Sequence, residues 1–268
     1  MTKYKMPKRK QNSNKGTFGK VLNFCGSENY IGASYLATIS SLKVGAGFSA
    51  LASIEQVINS VSPLLPEAVY LSREQGLEKM NEFSVVLIGC GLGLKEDSKK
   101  LLEDVLIKIK SGIPLIIDAD GLNILAETNY QLPENTIITP HPLEASRLLG
   151  ISLNYILENL EDTAKALSRK YNCITILKSH QTIICNKNLE IHINKNGNSA
   201  LAKAGSGDVL AGIIAGLIAQ KVQPFDAGIL GVYLHSRTGE IASEELTEYS
   251  VLASDLPNYL HKAIKEIL

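Results

Sequence analysis

The residues best placed for chemistry are Gly205-Ser206-Gly207-Asp208, at the head of an uncharged apolar run from Val209 to Gln220. Such a run reads as a helix buried on most sides. Its first turn would present unpaired backbone N–H groups and the positive end of the helix dipole. Two glycines allow the backbone to approach a ligand closely, so Gly205, Ser206 and Gly207 make an anion hole suited to a phosphate. A carboxylate in that turn would repel a phosphate unless it has a task of its own. Asp208 fits a general base that takes the proton of a hydroxyl attacking a phosphoryl group. It fits as well the common role of Asp as a helix cap.

Other motifs narrow the chemistry. Gly89-Cys90-Gly91-Leu92-Gly93-Leu94 invites a dinucleotide-binding reading, with Asp118 where a ribose-binding acid would fall, but the third glycine is displaced. Neither G-x-x-x-x-G-K-[ST] nor H-E-x-x-H occurs. Cys25, Cys90, Cys173 and Cys185 form no C-x-x-C pair, so they read as buried thiols in a reducing cytosol. His192, His235 and His261 read as packing or surface residues. With 27 basic and 27 acidic residues the chain has no net charge, which argues against nucleic acid as a partner. The basic N-terminus lacks an apolar signal-peptide core, and Val209 to Gln220 falls short of the ~20 residues that span a bilayer. The expected setting is cytoplasmic, with no membrane partner.

The elements that must position these residues alternate along the chain. Short apolar strands are expected at 21–25, 48–52, 85–88, 114–118, 136–138 and 173–177, and a strand pair at 181–185 and 190–193. Helices are expected at 32–44, 95–110, 143–149, 154–171, 209–220, 225–245 and 250–267. Near-continuous apolar strands between helices imply an α/β fold with a mainly parallel sheet covered on both faces. No repeat or composition break marks a linker, so 1–268 reads as one domain, with 1–6 as a solvated tail. Ligands of such folds sit at the carboxyl ends of the strands. Gly26-Ser27, Gly89 to Gly93, Asp118-Ala119-Asp120, Thr139-Pro140-His141 and Lys178 all fall there, which points to one shared site.

These residues resemble a known family. Asn196 through Gln220 is similar to the signature of the ADP/ATP-dependent NAD(P)H-hydrate dehydratases, within the ribokinase-like superfamily. The resemblance extends over Ser13 to Gly19, Gly26 to Ala33, Gly45-Ala46-Gly47, Pro66-Glu67, Gly89 to Gly93, Asp118-Ala119-Asp120, Thr139-Pro140-His141, Leu177-Lys178 and Ala253 to Leu256. It implies a single-domain ribokinase-like fold and a repair enzyme that restores hydrated NADH or NADPH at the expense of ADP or ATP. ADP or ATP would lie against Lys178, Ser179, His180, Gln181 and Thr182, with its phosphates over Gly205, Ser206 and Gly207. The hydrated dinucleotide would lie against Ala33, Gly91, Gly93 and His141. Asp208 would be the catalytic base on the ring hydroxyl, and Mg²⁺ would be held through water by Glu144. The resemblance further implies a homo-oligomer, with a tetramer expected, and a separate epimerase as functional partner.

The chain departs from the family pattern at Asn14, Lys43, Leu143, Ser179, Ser199, Ala200 and Lys203. Lys203, close to the anion hole, is expected to add a phosphate contact. Leu143 and Ser179 are expected to narrow the substrate and adenine pockets. Two other readings stand beside the dehydratase: a ribokinase-like small-molecule kinase releasing a stable phosphorylated product, and a non-catalytic adenine-nucleotide binder. The uncharged faces of Val209 to Gln220 and Ala227 to Leu234 read as more apolar surface than one domain need bury, which also suggests assembly.

Overall fold

The computed structural model describes residues 4–128 and 130–268. Seven parallel strands, β1 (Lys20–Phe24), β2 (Phe48–Ser53), β3 (Val69–Ser72), β4 (Val85–Ile88), β5 (Leu115–Ile117), β6 (Ile137–Ile138) and β7 (Ile174–Leu177), form most of one sheet. Two antiparallel strands, β8 (Thr182–Cys185) and β9 (Ile191–Asn194), extend it past β7. The order is β3-β2-β1-β4-β5-β6-β7-β8-β9. The chain therefore leaves β1 in one direction and returns on its other side at β4. A reversal of that kind opens a crevice at the carboxyl ends of the two strands, where ligands of open α/β sheets bind.

Helices cover both faces: α1 (Ile31–Lys43), α2 (Glu55–Val61), α3 (Arg73–Lys79), α4 (Glu96–Lys108), α5 (Asp120–Ala126), α6 (Pro142–Leu149), α7 (Leu153–Glu158), α8 (Leu160–Tyr171), α9 (Ser206–Ala219), α10 (Pro224–Ser250) and α11 (Leu256–Lys265). Two apolar cores result, one on each face of the sheet. The first gathers α1, α9, α10 and α11, and the second α4, α5, α6 and α8.

Strand β3 and helices α2, α3 and α5 escape the periodicity reading, because four to seven residues are too few to display a period. The expected helix 154–171 breaks at Asn159, whose backbone leaves the helical region and whose Nδ2 donates to the Tyr155 carbonyl at 2.9 Å. Helix α10 runs past the expected end, with a break at Thr247 (φ 69°). Of the expected tail, residues 1–3 lie outside the described residues. Tyr4 stacks on Tyr233 with ring centroids 4.1 Å apart, and its hydroxyl lies 3.3 Å from His192 Nε2.

Helix α9 explains its own composition. Residues Val209 to Ala219 are all buried, enclosed by α1, α10 and the sheet, so no side needs charge. Its approach to α1 depends on two glycines. A Cβ on Gly212 would lie 2.2 Å from the Ala37 carbonyl oxygen, and one on Gly216 would lie 2.5 Å from that of Ser41. The facing side of α1 is correspondingly small. Two of its buried hydroxyls return to their own helix, Ser40 Oγ donating to Leu36 O at 2.6 Å and Ser41 Oγ to Thr38 O at 2.7 Å. Ala227, Leu230, Val232 and Leu234 are likewise buried within the chain. The apolar faces that suggested assembly are thus consumed internally, and they do not argue for an oligomer.

Candidate functional site

The strand ends bring the predicted residues to one edge of the sheet. Gly205 adopts φ 91° and caps α9, which begins at Ser206, three residues earlier than expected. A Cβ on Gly205 would meet Leu36 and Ala253, so this glycine shapes the turn and leaves the open side to its neighbours. Gly207 faces the site: a Cβ there would come within 3.2 Å of Lys178 Nζ. The absence of that carbon lets a phosphate approach the first backbone N–H groups of α9.

Lys178, just past β7, donates to Asp118 Oδ1 at 2.7 Å, and Thr139 Oγ1 donates to the same oxygen at 2.6 Å. Burial alone would lower the Lys178 ammonium, but the Asp118 and Glu144 carboxylates outweigh it and hold the group above its ordinary value. Asp118 reaches this position past a strained residue: Ala119 has φ 48° and ψ −117°, a conformation costly for any side chain. The same twist sends Asp120 the other way, where its Oδ2 accepts from the Gly93 N–H at 2.8 Å. Gly89 makes room for this arrangement, since a Cβ on it would stand 2.0 Å from the Asp118 carbonyl oxygen.

Asp208, in the first turn of α9, shares its surroundings with Asp118 and Cys90; ligand atoms of the three lie within 4.8 Å of one another. Its carboxyl is pushed up to about 7, first by burial and then by Asp118, with the Cys90 thiol and Lys178 opposing. Cys90 stays protonated, because contact with Cys25 and burial raise its thiol. Glu144 is also pushed up to about 7, mainly by burial. It closes a capping box on α6: its Oε2 accepts from the His141 N–H at 2.8 Å, while its own N–H donates to His141 Nδ1 at 3.2 Å. The latter bond leaves the ring proton on Nε2. Burial, with the Lys178 charge beside it, lowers His141 and keeps it neutral.

Two cavities flank this centre. One of about 780 Å³ is lined by Lys178, Ser179, His180, Thr182, Ser206 and Gly207, together with His141, His235 and the segment Asn196 to Lys203. The other, about 310 Å³, is lined by Ser27, Asn29, Tyr30, Arg73, Gly93 and Asp120 among others, at the crevice between β1 and β4. Several expectations change here. Gln181 is exposed and does not line the larger cavity. His141 stands in that cavity with Lys178, not with the first-half glycines. Ala33 and Gly91 are packed together, a Cβ on Gly91 coming 2.8 Å from that of Ala33, so they form the wall behind Tyr30. Lys203 lines the larger cavity, and its ammonium is engaged by the Tyr249 and Val251 carbonyls at 2.5 and 2.6 Å, at the end of α10. Leu143 is substantially exposed, and the Ser179 hydroxyl lies 3.2 Å from His180 Nδ1.

The site also contains residues that motif reading passed over. His235, read as packing or surface, lines the larger cavity with its Nε2 3.0 Å from Ser206 Oγ. Asp118 was read as an acid at a strand end, where a ribose-binding acid would fall; its pairing with Lys178, 60 residues away, has no local signal.

A nine-stranded, mostly parallel α/β domain with a glycine-lined helix terminus beside a buried acid defines a ribokinase-like protein. The sequence model of the NAD(P)H-hydrate dehydratases matches residues 21–264, and the chain belongs to that family. It is 35% identical over 98% of its length to the bifunctional NAD(P)H-hydrate repair enzyme of Thermofilum pendens, covering 53% of that protein. The chain thus spans about half the length of the bifunctional curated relatives it matches. It is 31% identical to the ADP-dependent (S)-NAD(P)H-hydrate dehydratase of Bacillus subtilis, over 97% of this chain and 94% of that one. A crystal structure of the Bacillus subtilis ADP/ATP-dependent dehydratase, co-crystallized with ATP/Mg²⁺, superposes with a TM-score of 0.88 at 31% identity, covering 98% of this chain and 95% of that one.

Proposed function

We propose that this chain dehydrates hydrated NADH or NADPH in the (S) configuration, using ADP, with AMP and phosphate as products, or ATP in its place. The observation that carries this reading is Asp208: a carboxyl raised to about 7, in the first turn of α9, next in sequence to Gly207 of the larger cavity and within electrostatic reach of Asp120 of the smaller one. The larger cavity takes the adenine nucleotide, its phosphates over Ser206 and Gly207. The smaller one, too small for a whole dinucleotide, takes part of the hydrate at the Gly93 side. Asp208 accepts the proton of the ring hydroxyl as that oxygen attacks the terminal phosphorus. The P–O bond to the nucleotide breaks; phosphate then leaves the new ester with the C–O electron pair while the adjacent ring carbon gives up a proton, and the C–H pair becomes the ring double bond of the dihydronicotinamide. Hydroxide is a poor leaving group and phosphate a good one, which is the chemical reason for using a nucleotide. Lys178 and the α9 terminus offset charge on the transferring group.

Mg²⁺ fits these residues as a companion of the nucleotide. Asp118, Asp208 and Glu144 act together on Lys178, an acidic excess of oxygen donors that suits a hard cation. The Glu144 oxygens already face His141, at 2.8 and 3.4 Å, so Glu144 would hold the ion through water. The Cys90 thiol makes the Cys90–Asp118–Asp208 trio a poor ligand set for it. When bound, the ion supplies charge neutralisation to the phosphates.

Incubating the chain with hydrated NADH and ADP or ATP tests the reading. Return of the near-ultraviolet absorbance of NADH with release of phosphate is expected. A stable phosphorylated product would indicate a small-molecule kinase, and nucleotide binding without turnover a non-catalytic binder. The reading includes a cytoplasmic setting, a functional link to an epimerase and a homo-oligomer, tetrameric by expectation. The exposed Leu143, Ile151, Leu153, Tyr155 and Leu157 around α6 and α7 support assembly, and a monomer mass by light scattering would refute it. Among the described residues no helix is long and apolar enough to cross a membrane.

A further inference from the structure

Helix α10 carries Gly231, His235 and Gly239 at intervals of four residues, which puts all three on one face. A Cβ on Gly231 would come 2.7 Å from Ile214 Cγ1 of α9, and one on Gly239 would come 2.6 Å from Leu201 Cδ2. On either side of His235, therefore, α10 packs against the Ile214 and Leu201 side chains with no room for a further carbon. The imidazole between these contacts is 7% exposed, and its Nε2 lies 3.0 Å from Ser206 Oγ. Ser206 is the first residue of α9, set between Gly205 and Gly207, and it lines the larger cavity beside Lys178. Burial lowers the ring to about 4, with the Lys178 charge adding to the effect and a hydrogen bond to the Ser206 backbone opposing it. His235 is thus neutral at working pH. It offers a hydrogen bond without adding charge to a site that already holds an ammonium.

We infer that His235 is a positioning residue of the nucleotide site: it fixes the Ser206 hydroxyl, and with it the first turn of α9, against the phosphates of the adenine nucleotide. The inference rests on the proposed function for the identity of that ligand. An unheld serine hydroxyl turns among three staggered rotamers, and ordering it on binding weakens affinity. Held by a rigid imidazole, it meets the phosphates already aimed. The effect falls on the nucleotide and not on the hydrate, because Ser206 faces the larger cavity.

The test uses the full chain with His235→Leu, His235→Gln, His235→Asn and Ser206→Ala. ADP binding is followed by calorimetry, both Michaelis constants by steady-state kinetics, and folding by the thermal midpoint. Gln carries its amide nitrogen to about the reach of imidazole Nε2, whereas Asn stops at the position of Nδ1. His235→Leu and His235→Asn are expected to weaken ADP about tenfold, the size of one lost hydrogen bond, with the Michaelis constant for the hydrate unchanged. His235→Gln should recover wild-type affinity to within about threefold. Ser206→Ala should show the same loss, and His235→Leu added to it should cost nothing more, as expected of two groups in one interaction. Wild-type ADP affinity in folded His235→Leu would overturn the inference, as would additive losses in the double variant. Should His235→Leu fail to fold, His235→Asn takes its place in the cycle: added to Ser206→Ala it should cost nothing more, and an additive loss would overturn the inference. Calorimetry needs no hydrate: a wild-type chain that binds ADP but never restores NADH sinks the dehydratase reading while leaving this one open to the same measurement.

Discussion

Asp208 sits where its proton affinity matters most. With its carboxyl near 7, the ionised base is populated only above that pH, so turnover should rise as pH increases from 6 to 8. Asp208→Asn should lower turnover by at least ~10²-fold while ADP binding stays close to wild type. Near-normal turnover in that variant would reduce Asp208 to a helix cap. The linkage has a definite sign. A carboxyl raised in the folded state contributes stability below its unfolded value, and that stability is lost as pH rises through about 7. Asp208→Asn should therefore raise the thermal midpoint, and more at pH 8 than at pH 6. Lys178→Ala and His141→Ala should both raise the Michaelis constant for ADP or ATP, since both side chains line the larger cavity; varying each substrate in turn checks this. An effect of His141→Ala confined to the hydrate would put that histidine on the other side of the site. Asp208, Gly207 and Lys178 could be placed at one edge of the sheet from the sequence, because each falls at a helix entrance or a strand end. His235 and the Asp118–Lys178 pair were not legible, because tertiary packing decides which side chains meet across 29 or 60 residues.

At the level of elements, the long apolar strands and amphipathic helices were readable from periodicity, while the short ones were not. Helix α3 did carry a signature: Ser72 and Gln75 form a capping box at its start. The contact of α1 with α9 is the joint that positions the first turn of α9, and glycine at 212 makes it possible. Gly212→Ala would gain up to ~1 kcal/mol of helix propensity. Against that stands a Cβ 2.2 Å from a backbone oxygen of α1, which no rotamer change can relieve. Overpacking of this kind typically costs ~1–3 kcal/mol and should prevail, given the severity of the clash. The expected result is a thermal midpoint several degrees lower, with weaker ADP binding as α9 tilts. An unchanged midpoint would mean that the two helices separate freely.

Across the whole molecule, the parallel sheet and single domain followed from the strand–helix alternation, but the reversal between β1 and β4 did not. Strand order is set by long-range pairing that no local window contains. The enclosure of α9 was foreseen; which elements enclose it was not, and the apolar faces taken for an interface proved internal. That enclosure governs how the protein responds to its ligand. Backbone amides from Leu210 to Ala219 can exchange with solvent deuterium only when the helix leaves its packing against α1, α10 and the sheet, an opening equivalent to unfolding the domain. In the proposed function the nucleotide binds the free end of this same helix. Its stabilisation, about 2.7 kcal/mol at a hundredfold excess over the dissociation constant, should therefore slow exchange by one common factor throughout the core. Mass spectrometry of deuterium uptake, with and without ADP, should show protection reaching β1 and β4 and fading where α10 breaks at Thr247. Protection limited to the cavity lining would mean that the helix N-terminus moves independently of the rest.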